Sequence, residues 1–362
     1  MALLLAPRAR FAALDLGRLG PNWYATVMGT AIVANGAAAL PLDVPGRTGF
    51  AELMWVLALA ALAVLVPARA VHLLRHREAA RRHLLDEPAA AVFYGCPPMA
   101  LVAVGYGTLA VGAPLIGDGP AVAVDLALWT VGTLYAVAVA AGIPLLMITR
   151  HRLSVLEANP TWLLPVVAPM VAAALGPALI PHLPEGGARA AMLYVCFALF
   201  GASLLATLVL LPVVFAGLVH HKLPALVLTP SLFLVLGPLG QSTTAANTLA
   251  DATRSAAPAL TGPATAFAVL YGVAVMGFAL LWLLVALAAN LRALRAEMPF
   301  AMTWWAFTFP LGTLVTGAAG LERHTGFAGF TGLAAGLLVL LIGAWAVAAA
   351  RTVAGLLDGR LL

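Results

Sequence analysis

Uncharged apolar stretches of about 20 residues recur along this chain, each long enough to cross a hydrocarbon core about 30 Å thick. In that medium every backbone N–H and C=O must be satisfied within the fold, so the spanning segments must be helices or a closed barrel. Segments of this length and unbroken apolarity read as helices. Cutting at polar clusters gives ten spans, at about 21–41, 50–71, 97–116, 121–148, 160–181, 190–217, 224–247, 264–290, 299–320 and 327–354. Composition agrees: 63% of the 362 residues are hydrophobic and 9% charged, against about 25% charged in soluble domains. The sequence therefore predicts an all-α integral membrane protein with a cytoplasmic segment over 1–20, one ten-helix domain over 21–354 and a short cytoplasmic tail over 355–362. "MALLLAPRARFAALDLGRLG" carries its arginines after a short apolar core, the reverse of a cleaved signal peptide. Cys96 and Cys196 fall in or beside apolar segments and read as buried thiols.

An even number of spans puts both termini on one side. Basic residues near span ends are retained in the cytoplasm, and fifteen of the 19 fall on the side of the termini. Only Arg47, Arg189, Arg254 and Arg323 lie opposite. Both termini are thus expected in the cytoplasm of a bacterial-type plasma membrane. The same asymmetry accounts for a pI near 9.7 without a nucleic-acid partner. The loop "RHREAARRHL" reads as a solvated connection near anionic headgroups. His72 and His76, spaced i, i+4 with His83 nearby, lack the neighbouring Cys or carboxylate ligands of a metal site. We predict no metal and no cofactor.

The spans fall into two classes by position. Odd spans carry the breakers: Pro165, Pro169 and Pro177 in "NPTWLLPVVAPMVAAALGPALIP", Pro230, Gly237 and Pro238 in "TPSLFLVLGPLGQSTTAAN", and Pro310 and Gly312 in span nine. Even spans such as "GLLVLLIGAWAVAAA" are smoother, although Pro144 interrupts span four. A proline inside a helix frees a carbonyl that must find protein or water, which places broken helices inside and smooth ones against lipid. The odd centres, near 31, 105, 170, 236 and 310, recur at intervals of about 65 to 74 residues, the mark of a repeated helical hairpin. Five hairpins in a pseudo-five-fold ring would enclose a central pore. Its lining candidates are Thr26, Gly29 and Thr30; Gly105 and Thr108; Pro165 and Pro169; Gly237, Pro238 and Ser242; and Thr308 and Thr313. Close helix packing at small residues is the competing role for each.

Ion-coupled transporters place an Asp, Glu or His near the bilayer midplane. Here Glu52 and Asp125 fall near external ends, and Arg69 and Glu157 near cytoplasmic ones. An uncharged pathway neither repels an anion nor traps it, which favours passive conduction. Paired carboxylates, a nucleophile elbow and an HExxH helix are all absent, so an enzyme is not expected.

Four segments on alternate spans, "NWYATVMGTAIVANGA", "NPTWLLPVVAP", "GPLGQS" and "WWAFTFP", together resemble the tellurite-resistance/dicarboxylate transporter family. It includes TehA-like bacterial proteins, plant slow-type anion channels, fungal malate permeases and sulfite efflux pumps, and the resemblance spans the whole membrane region. It implies five hairpins around a pore, a homotrimer with one pore per subunit, and a phenylalanine gate mapping to Phe309 with Pro310 beside it. A ring in a narrow apolar tube excludes water and stops an ion without any charge. Phe307 then reads as packing, and Trp304 and Trp305 as interfacial anchors. The expected function is a channel or channel-like transporter for small anions. The alternative is a proton-linked exporter of C4-dicarboxylate, sulfite or tellurite-linked species.

Overall fold

The computed structural model describes Gly17 and residues 19–361. Most of the expected N-terminal segment, Arg8, Arg10 and Arg18 included, therefore lies outside the described residues. Ten principal helices follow one another: α1 Tyr24–Ala39, α2 Arg47–Arg75, α3 Cys96–Gly107, α4 Asp118–Thr149, α5 Leu163–Leu175, α6 Gly187–His221, α7 Leu236–Ala256, α8 Thr261–Arg295, α9 Phe309–Thr325 and α10 Ala328–Leu357. No strand occurs among the described residues.

Among the described residues, eight helical segments are long and apolar enough to cross a membrane. The two remaining principal helices, α1 and α9, have 16 and 17 residues and are buried almost throughout. The even helices run unbroken for 29 to 35 residues and keep prolines in register, Pro67 in α2, Pro144 in α4 and Pro212 in α6. They expose large apolar side chains: Val64, Ile148, Val209, Leu270 and Val339 are each at least 69% exposed. Only lipid accepts such a surface without penalty.

The odd segments are buried and composite. A 3-10 stretch, Leu226–Val235, precedes α7, another, Met302–Phe307, precedes α9, and a third, Gly176–His182, follows α5; a π-turn, Thr108–Gly112, extends α3. The segment Pro160–His182 is 94% buried across its most apolar window, whereas Gly187–His221 is 22% buried. Each odd helix packs on two others: α1 on α3, α3 on α5, α5 on α7, α7 on α9, and α9 back on α1. Each even helix packs on the odd helix before it, α2, α4, α6 and α8 also on the one after, and α10 on α1.

Side chains of neighbouring helices satisfy carbonyls of the irregular segments. Indoles of the even helices donate inward: Trp129 to the Ala172 carbonyl (2.9 Å), Trp282 to that of Leu232 (2.9 Å), Trp55 to the Thr108 hydroxyl (3.0 Å) and Trp345 to the Thr30 hydroxyl (3.0 Å). Ser203 of α6 donates to the Val166 carbonyl at 2.6 Å. Pro177 has no N–H for the turn before it, and the Thr248 hydroxyl of α7 occupies the Ala174 carbonyl there at 2.8 Å. In a medium without water these bonds tie the even helices to the buried odd ones.

Three readings change. Pro310 does not kink a continuous helix: it is the second residue of α9, where its missing N–H is no loss. Trp304 and Trp305 are interior pegs, 8% and 4% exposed, donating to the Pro299 carbonyl (3.1 Å) and the Thr352 hydroxyl (2.9 Å). Spans one and nine are composite where continuous helices were expected, a 3-10 turn, Pro21–Trp23 or Met302–Phe307, leading into an α-helix of 16 or 17 residues. Cys96 and Cys196 are free and buried, and Phe307 packs edge-on against Phe233 with ring centroids 4.9 Å apart.

Candidate functional site

One cavity is lined by all five odd segments. Met28 of α1, Met99 of α3, Leu163, Leu164 and Val167 of α5, Leu234 and Gly237 at the start of α7, and Phe309 and Pro310 of α9 enclose it. Its volume is about 20 Å³, room for about one water. Every lining side chain is apolar, so a water there would find few partners. The lining residues lie within the first five residues of their helices or, for Leu234, in the 3-10 stretch before α7, as they do when the five odd helices run the same way along the bundle. Phe309 is 2% exposed and directed inward, and Gly237 leaves open space where a side chain would otherwise project.

Of the remaining sequence candidates, several are committed to packing. Thr30 and Thr108 accept the even-helix indoles described above, and Thr108 also donates to the Val104 carbonyl at 2.8 Å. Ser242 accepts from the Tyr271 hydroxyl of α8 at 2.8 Å. Gly105 lies against Asp125 and Leu128 of α4, and Gly29 against Thr308 and Trp305. Thr26 and Thr308 donate to the Trp23 and Trp305 carbonyls, at 2.8 and 2.7 Å. Thr313 donates to the Pro310 carbonyl at 2.7 Å and Pro169 borders a cleft between α4, α5 and α6. Pro165 and Pro238 are buried in the first turns of α5 and α7. The structure brings Gly237, Phe309 and Pro310 together at the cavity. Its other lining residues, Met28, Met99, Leu163, Leu164, Val167 and Leu234, escaped a sequence reading that looked for hydroxyls, since an apolar wall gives no signal within an apolar helix.

Formal charge lies at the ends of the bundle. Near the C-terminal ends of α7 and α9, Asp251 meets His324 (3.0 Å), Arg254 (3.4 Å) and Arg323 (3.5 Å). His324 is 15 residues beyond Phe309, about 22 Å along an α-helix. At the opposite end Arg69, 6% exposed, donates to the Leu19 carbonyl and to the Tyr94 hydroxyl (3.1 Å). The rings of His72 and His76 stack at 5.7 Å and those of His72 and His83 at 6.1 Å, a parallel arrangement that does not converge on a metal. Asp125, in the second turn of α4, is 1% exposed and its Oδ2 has no hydrogen-bond partner among the described residues.

Even helices with exposed apolar faces around buried odd helices, which meet at a small cavity lined by apolar side chains, fit a multi-pass membrane protein of the channel and transporter class. The family comparison makes this specific. The chain belongs to the SLAC1 family, described as voltage-dependent anion channel, whose profile matches residues 18–353. Among curated proteins it is 28% identical to a sulfite efflux pump, SSU1, of Arthroderma otae over 96% of this chain and 93% of that one. It is 27% identical to the pump of the same name from Trichophyton rubrum, over 88% and 85% of the two chains. An uncharacterized transporter of Methanocaldococcus jannaschii is 26% identical over 92% of both.

Proposed function

We propose that this protein conducts small anions across the plasma membrane through the axis of its five odd helices, with Phe309 as the gate and Pro310 fixing where its helix begins. The observation that carries this reading is the apolar cavity to which every odd segment contributes and into which Phe309 projects. A constriction of that kind blocks ions by excluding water, and moving one aromatic ring opens it. The parallel odd helices turn the positive ends of their dipoles toward the same end of the bundle, which favours an anion over a cation. In this reading the five hairpins form a pseudo-five-fold ring, both termini are cytoplasmic, and three copies assemble with one conduit each. Sulfite or bisulfite, suggested by the names of two relatives, belongs to the permeant class together with chloride, nitrate and dicarboxylates. The test is reversal potential in planar bilayers under a tenfold potassium chloride gradient. The potential is expected to lie near the chloride equilibrium value, and a cation-selective potential sinks the proposal.

A second reading, a proton-linked exporter of C4-dicarboxylate, sulfite or tellurite-linked species, draws on one observation. The Asp125 carboxyl is buried beside Gly105 and its Oδ2 has no hydrogen-bond partner among the described residues, and a buried ionisable group in a membrane helix commonly marks a proton path. If that reading is right, anion efflux from proteoliposomes tracks an imposed pH gradient, and Asp125→Asn removes the pH dependence while leaving passive flux. Efflux indifferent to the gradient in the native protein rules it out.

A further inference from the structure

Gln241, within the "GPLGQS" segment, is the one buried side-chain amide among the described residues that the fold leaves wholly unsatisfied. Asn35 donates to the Ala103 carbonyl (3.1 Å), Asn247 to that of Thr243 (2.8 Å) and Asn290 to that of Ala286 (2.9 Å). Gln241 is 1% exposed, its Oε1 is buried without a partner, and no hydrogen bond from its nitrogen occurs among the described residues. In a membrane protein an unpaired amide is costly, because neither lipid nor apolar side chains replace water. Such a group persists where something absent from the resting fold satisfies it.

Its direction follows from its neighbours. Side chains turn by about 100° per residue around α7. Gly240 and Thr244 meet α9, where Thr313 closes on Gly240 and the Thr244 and Thr316 hydroxyls are 2.8 Å apart. Ser242 and Thr243 meet α8 through Tyr271 and Gly272. Thr248 reaches the Ala174 carbonyl of α5. Gln241 lies within about 20° of Thr248, on the flank of α7 that turns from α9 toward α5. Gly237, four residues earlier and about 40° round the same face, lines the cavity beside Phe309.

We infer that the Gln241 amide is a coordination point for the permeating anion, one helical turn beyond the gate. Its two N–H donors replace part of the hydration shell of a halide or small oxyanion, while its carbonyl holds the accompanying water. A neutral donor binds weakly enough to let the ion leave, as conduction requires. This inference rests on the proposed conduit, and the experiment separates the two.

Chloride conductance and the nitrate-to-chloride permeability ratio are measured in planar bilayers for full-length Phe309→Ala, with and without Gln241→Leu. The leucine is close in size and has no donor. Loss of a hydrogen bond to an ion predicts a roughly tenfold fall in chloride conductance and a changed permeability ratio. Thermal stability serves as the second readout: replacing an unsatisfied amide by an apolar group leaves the melting temperature unchanged or raises it. Equal conductance and ratio in the two proteins overturn the role of Gln241 while the conduit stands. A lowered melting temperature or loss of folding in Gln241→Leu overturns it too, since the amide would then be structural. No anion current in Phe309→Ala alone overturns both proposals.

Discussion

Phe309→Ala raises anion conductance in planar bilayers by roughly tenfold or more, a fall of about 1.4 kcal/mol or more in the barrier to permeation. The native cavity beside the ring holds about 20 Å³, lined entirely by apolar side chains, so an ion there would have to shed its water with nothing to replace it. Removing the benzyl group widens this point directly, since Phe309 is the one aromatic residue among those that line the cavity. Phe309→Leu gives a smaller increase, since a branched aliphatic side chain still excludes water. Truncation of a buried phenylalanine also costs about 3–5 kcal/mol in a well-packed core. Conductance and thermal midpoint should therefore move in opposite directions, and an unchanged current in a correctly folded Phe309→Ala protein removes the gate.

The second large effect is on assembly of the inner helices. Gly240→Ala places a methyl group 2.6 Å from the carbonyl carbon of Thr313 and 2.7 Å from the nitrogen of Leu314, both backbone atoms of α9. Backbone does not swing aside as a flexible side chain does, so α7 and α9 must separate along their whole contact. Overpacking of this kind costs about 1–3 kcal/mol, and more where small residues are what allows two membrane helices to approach. The expected result is a clearly lowered melting temperature in detergent, read by fluorescence-detected size exclusion. Gly237→Ala is the control three residues earlier: nothing lies within 4 Å of its added methyl. It should fold normally and lower conductance by narrowing the cavity. Equal stability of the two variants would show that the approach at Gly240 is not required.

Much of this architecture was legible in the order of the residues. Glycine and proline in alternate apolar segments separated buried helices from exposed ones, because a broken backbone needs partners that lipid cannot supply. The identity of those partners was not legible: Trp129 meets Ala172 and Trp282 meets Leu232 across 43 and 50 residues of sequence. The hydroxyls named as lining illustrate the same limit. Ser242 and Gly237 lie on one helix, yet Ser242 turns to Tyr271 of α8 while Gly237 lines the cavity. Trp304 and Trp305, read as surface anchors, are interior because the 3-10 turn before α9 carries them inward.

The sequence by itself determined that this chain inhabits a bilayer, that its helices come in two alternating kinds, and that no formal charge need stand along its middle. Those properties are sums over local composition, and water's refusal to accompany the backbone into hydrocarbon makes them binding. Only the tertiary structure decided which nine apolar residues face one another across a gap too small for a hydrated ion. That choice depends on helix rotation, where one residue's step of about 100° exchanges an interior wall for a neighbour's flank.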